Sequence, residues 1–231
     1  MKNSSLTLAV AALAVSLQLA SSAELTGKVT LKGAPPPERD IAMDATCGKF
    51  HEGPVKTRLY LTGQGAGLAN VFVYVKAGAK PAATPPAETP LIDQVGCIYE
   101  PYVNGIMVNQ KFKVRNSDAV LHNVHATPKV NKEFNFAQPV KGQVNEKSFS
   151  EAEVMVRIKC DVHPWMFTYV GVVDNPYYAV TDKDGNFKIS NLPPGKYTLE
   201  AFHLKAGASA QEIAVDGDKK VDFTLEVPPA P

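Results

Sequence analysis

The chain lacks what a helical, a membrane-spanning or a nucleic-acid-binding protein would need. No segment carries an apolar spacing of three and four residues over several turns, which sets helical fold classes aside. Long apolar runs are missing except near the start, where LTLAVAALAVSLQLA falls short of the roughly 18 to 20 residues of a spanning helix. With Lys2 before that run and Ser21-Ser22-Ala23 behind it, residues 1–23 read as an export leader. The mature chain is expected to begin at Glu24, to have no membrane span, and to be periplasmic or secreted. No cysteine stands at the cleavage point, so a lipoprotein anchor is not expected. Excess charge is missing too: of 24 Lys and Arg residues Lys2 leaves with the leader, and 23 basic residues then face 23 acidic ones. Such a balance gives nucleic acid no attraction, and it weakens long-range steering toward a strongly charged partner. Partner contact is therefore expected to be largely apolar.

Cysteine is scarce and odd in number: Cys47, Cys97 and Cys160. Exported thiols tend to pair, so one of the three must stay free or pair between chains. Cys160 sits among possible metal ligands and the other two do not, which makes Cys47 with Cys97 the expected disulfide.

What the chain does have is strand pattern. LTGKVTL, ANVFVYVKA, QKFKVRN, EAEVMVRIKC, NFKIS, KYTLEAF and KVDFTLEV alternate β-branched or aromatic residues with polar ones, between Gly, Pro and Asn turns. The expected fold class is all-β, one sandwich or a pair. Proline clusters at Pro35 to Pro37 and in KPAATPPAETP mark exposed loops, the second a boundary. Asp182 and Asp184-Gly185 lack the glutamate of a calcium loop, since Pro193 stands in its place, and are expected to form a tight hairpin turn.

The chemistry is concentrated in VMVRIKCDVHPWMFTYVGVV. Alternation puts Val154, Val156, Ile158 and Cys160 on one face of the entering strand and Met155, Arg157 and Lys159 on the other. Cys160 then points inward at the strand's end, and the following loop brings His163 and Met166 to the same point at Cys-x-x-His-x-x-Met spacing. A thiolate with imidazoles and a weak thioether suits copper in both oxidation states, whereas zinc prefers four strong ligands or three with water. NSDAVLHNVHATP offers the further imidazole, either His122 or His125. Three residues apart on a strand, these two face opposite sides, so one of them can serve. His51 and His203 have no ligand-spaced neighbours and are expected to be structural.

RNSDAVLHNVH resembles the first-histidine segment of the cupredoxin family, and CDVHPWM resembles its ligand loop, most closely the short loop of the amicyanin group. The resemblance covers about residues 98 to 174. It implies a Greek-key sandwich holding one type 1 (blue) copper on His122, Cys160, His163 and Met166, with Asn123 pinning the cysteine loop and His125 structural. It further implies that electrons leave at an exposed edge of His163 bordered by Pro164 and Trp165. Leu121 departs from the proline frequent before the first histidine, and Trp165 from the phenylalanine of the amicyanin loop.

A second resemblance joins distant segments. GKVTLKG and LANVFVYV, with TDKDGNFKISNLPPGKYTLEAFH much later, resemble the carboxypeptidase regulatory-like (transthyretin-like) β-sandwich. It implies a discontinuous outer sandwich, residues 24–85 and 176–231, with the cupredoxin-like domain, 86–175, inserted in it. The alternative is two consecutive domains, with ANVFVYV opening the copper domain.

The expected function is single-electron transport with a redox partner such as a c-type cytochrome or a dehydrogenase. The alternative is a non-catalytic copper-binding or docking module whose outer sandwich binds a protein or polymer. An enzyme is not expected. Multicopper oxidases and nitrite reductases resemble arrays of such domains with a histidine beside the type 1 cysteine, and here Lys159 and Asp161 flank Cys160.

Overall fold

A computed structural model describes residues 22–229, so of the expected leader all but Ser22 and Ala23 lies outside the described residues. The chain opens with β1 (Ala23–Lys32) and β2 (Phe72–Ala77), separated by a long strap. Then follow β3 (Leu91–Val95), β4 (Ile98–Glu100), β5 (Val103–Met107), β6 (Phe112–Asn116), β7 (His122–Thr127), β8 (Phe134–Gln138), β9 (Val144–Lys147), β10 (Glu153–Lys159) and β11 (Phe167–Val173). It closes with β12 (Tyr178–Val180), β13 (Asn186–Leu192), β14 (Gly195–His203), β15 (Gly207–Val215), β16 (Lys219–Lys220) and β17 (Phe223–Glu226). Apart from short 3-10 turns at Cys47–Phe50 and Gln64–Ala66, the regular structure among the described residues is strand. The fold is all-β.

Pairing divides these strands by position in the chain. The middle ones form two sheets, β5-β11-β10-β7-β8 and β4-β3-β6-β9. The two ends of the chain build the others, β12-β2-β14-β15 and β13-β1-β16 with β17 also on β1. Each pair of sheets closes over its own core because alternate residues point inward. Leu25, Val73, Leu199 and Phe223 are buried in one core and Phe112, Val124, Ile158 and Val170 in the other. Each such side chain contributes roughly 1.5–3 kcal/mol by leaving water.

A third cluster joins the two halves. Phe72 and Tyr74 of β2 pack with Tyr102, Val103 and Val173. Gly105 and Gly171 are register partners across β5 and β11, and a Cβ on either would lie 2.5 Å from an aromatic carbon, that of Tyr178 or of Phe72 respectively. The missing side chains let those rings lie directly on the sheet.

Two local expectations change. β10 carries a bulge between Glu153 and Val156, with Met155 at φ +64°. The extra residue breaks the alternation, so Val154 packs in the joining cluster with Met155 instead of sharing the face of Val156. The Asp182 turn is tight, with its carboxylate accepting the N–H groups of Asp184 and Asn186 at 2.9 and 2.8 Å. Yet its flanking strands, β12 and β13, belong to different sheets, so it forms a corner between sheets and not a hairpin.

Part of the strap, which lies within the 24–85 expected for the outer sandwich, packs on the middle strands. Its two limbs are tied by Ile41 N–H to Val55 O and Thr57 N–H to Arg39 O, both at 2.8 Å. Met43 and Cys47 join the core of the middle strands, and a disulfide links Cys47 to Cys97 with a Cα–Cα distance of 5.6 Å. A buried cysteine fixed to the β3–β4 turn holds this segment against the middle sandwich.

Candidate metal centre

β7 presents its residues alternately, with His122, Val124 and Ala126 buried and Asn123 and His125 turned outward. β10 is its antiparallel neighbour, pairing Lys159 with His125. Cys160 follows directly and stays buried, as the alternation of Val156 and Ile158 predicts. The loop then folds back: Met166 N–H donates to His163 O at 2.9 Å, and Cys160 N–H donates to Met166 O at 3.0 Å. This short closed turn carries His163 to the sulfur and buries Met166 in the same core as Cys160.

The donor atoms converge. His122 Nδ1 lies 3.1 Å from His163 Nδ1, and His163 Nδ1 lies 3.7 Å from Cys160 Sγ. All three residues are buried, and their ligand atoms lie within 4.8 Å of one another. Cys47 and Cys97 come near His163 as well, but their sulfurs are bonded to each other. Nitrogens 3.1 Å apart have the separation of two imidazoles sharing one ion at about 2.0 Å each. The residues present therefore fit a small soft cation.

Hydrogen bonds orient each group. His122 Nε2–H donates to Asp118 Oδ2 at 2.9 Å, which leaves Nδ1 to face the sulfur. Asp118 also accepts the N–H groups of Gly96 and Cys97, at 2.7 and 2.8 Å. Asn123 N–H donates to Cys160 Sγ at 3.4 Å. The Asn123 side chain accepts Asp161 N–H at 2.5 Å and donates to Asp161 Oδ2 at 3.1 Å, clamping the start of the loop. His125 bridges Asp161 and Glu133, each at 2.7 Å, on the outer face. It is remote from the donor cluster by strand geometry.

Charge preferences follow. Burial raises the Cys160 thiol, but hydrogen bonds from His122 and from backbone N–H groups outweigh it and hold the group below the ordinary thiol value. Burial pushes His122 down, yet Asp118 and Cys160 outweigh it and hold His122 above the ordinary histidine value. His163 goes the other way, lowered by burial and then by the neighbouring His122 charge. Asp118, raised by burial, is brought below the ordinary range by His122 and the two N–H groups. Cys160 and His122 are thus each shifted toward their ionised forms.

The surroundings of His163 differ from the exposed, apolar edge expected. Its side chain is 7% exposed, and Nε2 faces Asp44 Oδ2 of the strap at 3.6 Å. Pro164 and Val162 are exposed, whereas Trp165 is half-buried, its ring 5.3 Å from that of His163. The indole N–H of Trp165 donates to Cys97 O at 3.1 Å. The strap crosses here because the disulfide fixes it, and Asp44 enters a border that was expected to be apolar.

His51 and His203 have partners within the protein. His51 Nε2 lies 2.7 Å from Gly96 O, and buried His203 accepts the N–H groups of Lys205 and Ala206 through Nδ1 at 3.3 and 3.1 Å. Two residues escaped the sequence reading. Asp118 had a signal, an acidic residue four before His122. Asp44 had none, because long-range folding alone brings the strap to the loop.

No family model matches the chain, and no curated protein does. Similar solved structures are cupredoxins. A purple cupredoxin from Nitrosopumilus maritimus is 26% identical over 36% of this chain and 98% of its own, with a TM-score of 0.31. An amicyanin variant in its Cu(I) form is 24% identical over 45% of this chain and 98% of its own, at 0.33. A copper-containing nitrite reductase from Thermus scotoductus is 22% identical over 44% of this chain, which spans 25% of the reductase, at 0.33.

Proposed function

We propose that this chain is an exported electron carrier holding one type 1 copper on His122, Cys160, His163 and Met166. The observation that carries the reading is the convergence of His122 Nδ1, His163 Nδ1 and Cys160 Sγ in one buried pocket. Bound copper would supply a one-electron couple between Cu(II) and Cu(I). The chain's own residues do the rest. Asp118 fixes the ring of His122, Asn123 clamps the Cys160 loop, and the core around Met166 excludes water. Packed ligands resist rearrangement, and low rearrangement favours rapid electron exchange.

In this reading residues 86–175 form a cupredoxin-like domain nested in a regulatory-like sandwich drawn from 24–85 and 176–231, with the strap around Met43 and Cys47 packed on the nested domain. The segregation of sheet pairing by chain position supports the nesting. Electrons pass through the ring of His163, with Pro164 and Trp165 at its border, to a redox partner such as a c-type cytochrome or a dehydrogenase in the periplasm or outside the cell. Trp165→Ala should slow that transfer while leaving the visible spectrum largely intact.

The reading is tested by loading the copper-free protein and following visible absorption, electron paramagnetic resonance and voltammetry. One intense blue copper per chain, lost in Cys160→Ser, is expected. A spectrum unchanged in Cys160→Ser would sink the site, and tight copper binding without rapid electron exchange would leave a copper-binding module instead.

A further inference from the structure

A cleft of 150 Å³ lies between the strap and the middle sandwich. Ile41, Val55 and Leu59 of the strap line it on one side, with Ile98, Trp165 and Phe167 on the other. Tyr102 adds a third aromatic ring, and Arg58 lies over that ring at 4.4 Å from its centroid.

Arg58, Thr57 and Trp165 of this wall have hydrogen-bond partners within the protein. Arg58 donates to Glu100 at 2.6 Å and to Tyr99 O at 3.0 Å. Thr57 Oγ1 donates to Glu38 at 2.5 Å and accepts Arg39 N–H at 3.0 Å. Lys56 lies 3.8 Å from Asp40 and is 61% exposed. Among the described residues, neither buried side-chain atom without a hydrogen-bond partner, Gln94 Oε1 or Arg157 Nε, belongs to this wall. Water in the cleft gains little from such a lining, and an apolar molecule displacing it gains affinity. An apolar protein cavity of about 150 Å³ takes up benzene.

The cleft is also formed in advance. The strap limbs are hydrogen-bonded to each other through Ile41 and Val55, Glu38 accepts the N–H groups of Leu59 and Tyr60 at 3.0 and 2.5 Å, and the Cys47–Cys97 disulfide anchors the segment. Little ordering is left for a ligand to impose.

From this volume and this largely apolar, aromatic lining we infer that the cleft is a binding site for a small, neutral, monocyclic aromatic molecule. The occupant lies against Trp165, whose other neighbour is the ring of His163. The inference does not rest on copper, so the copper-free protein can test it.

Benzene is the probe, and the isoleucine methyl groups are the reporters. Titrated into the copper-free full chain, benzene should shift the methyl resonances of Ile41 and Ile98 and the indole N–H of Trp165, the single tryptophan, with one saturating curve. Ile189 and Ile213, in the core of the outer strands, should stay still. Val55→Phe, which fills the cleft and keeps the backbone bond from Ile41, should weaken apparent affinity by at least about tenfold. Shifts that grow linearly without saturation, or that move Ile189 and Ile213 equally, would overturn the site. So would saturating shifts whose affinity survives in a folded Val55→Phe protein. Should that variant fail to fold, the pattern of shifts in the unaltered chain decides.

Discussion

Asp44 of the strap holds its carboxylate 3.6 Å from Nε2 of His163, the ring nitrogen that is not turned toward Cys160. The carboxylate is fixed there by the N–H groups of Thr46 and Cys47, both donating to Oδ1 at 2.8 Å. Those bonds, with that of Cys47 foremost, keep it below the ordinary carboxylate range despite some burial. A negative charge thus guards the ring edge through which electrons are proposed to pass.

Asp44→Asn retains an acceptor for the strap and removes the charge. In the copper-loaded protein, exchange with an anionic reagent such as ferricyanide should accelerate, and exchange with a cationic complex should slow, each about two- to fivefold at low salt. At 1 M salt, where screening acts over about 3 Å, the difference should largely vanish. Equal changes for both reagents would mean that Asp44 acts through structure and not through charge.

The strap depends on its disulfide. Cys47 and Cys97 are 50 residues apart, a separation for which chain entropy gives about 4 kcal/mol of stabilisation. Replacing both with serine should lower unfolding free energy in urea by about 2–4 kcal/mol. It should also speed removal of bound copper by a chelator, because the strap beside His163 loses its anchor. A stability change below about 1 kcal/mol would show that the remaining strap contacts hold the segment alone.

Part of the proposed ligand set was readable from two local rules, strand alternation for Cys160 and short loop spacing for His163, whereas alternation left His122 and His125 open and the family resemblance chose His122. The strands rich in Val, Phe and Ile were readable from the same alternation. β15, GASAQEIAV, and β5, VNGIM, were not, since their small residues and glycine carry little strand preference. They form because neighbours supply pairing: β15 runs the length of β14, and Gly105 is needed beneath Tyr178 and Phe72. The Val154 face was misread because a one-residue bulge cannot be seen in an alternating pattern. The crossing of the strap depends on contacts far apart in sequence, so the polar border of His163 was hidden as well.

Asn123 and His125 stand on the same outward face of β7 yet should behave differently. Asn123→Ala removes the clamp on Asp161 and is expected to cost about 1–2 kcal/mol and to loosen Cys160, shifting the visible band of the copper-loaded protein. His125→Gln touches a partly exposed bridge to Asp161 and Glu133 and should leave that band in place. Visible spectra and urea curves of both variants decide; a larger shift in His125→Gln would contradict the assignment of His122 as ligand.

His203 gives the fold a pH dependence separate from the metal centre. Burial pushes it from 6.5 down to about 4, outweighing the opposing charge of Glu38. The buried ring accepts two backbone N–H groups through Nδ1, a role that the neutral form fills. Above pH 6.5 neither the folded nor the unfolded chain protonates this residue, so its full contribution is present there. As pH falls from 6.5 toward 4 the unfolded chain takes up the proton first, and stability is lost; below about 4 both forms are protonated and the loss levels off. The whole interval corresponds to about 3 kcal/mol. His203→Asn keeps an acceptor near the same N–H groups without titrating. The difference in unfolding free energy between the unaltered protein and this variant should therefore change by about that amount between pH 7 and pH 4, with the unaltered protein losing more. A difference that stays constant across this range would mean that His203 titrates normally in the fold.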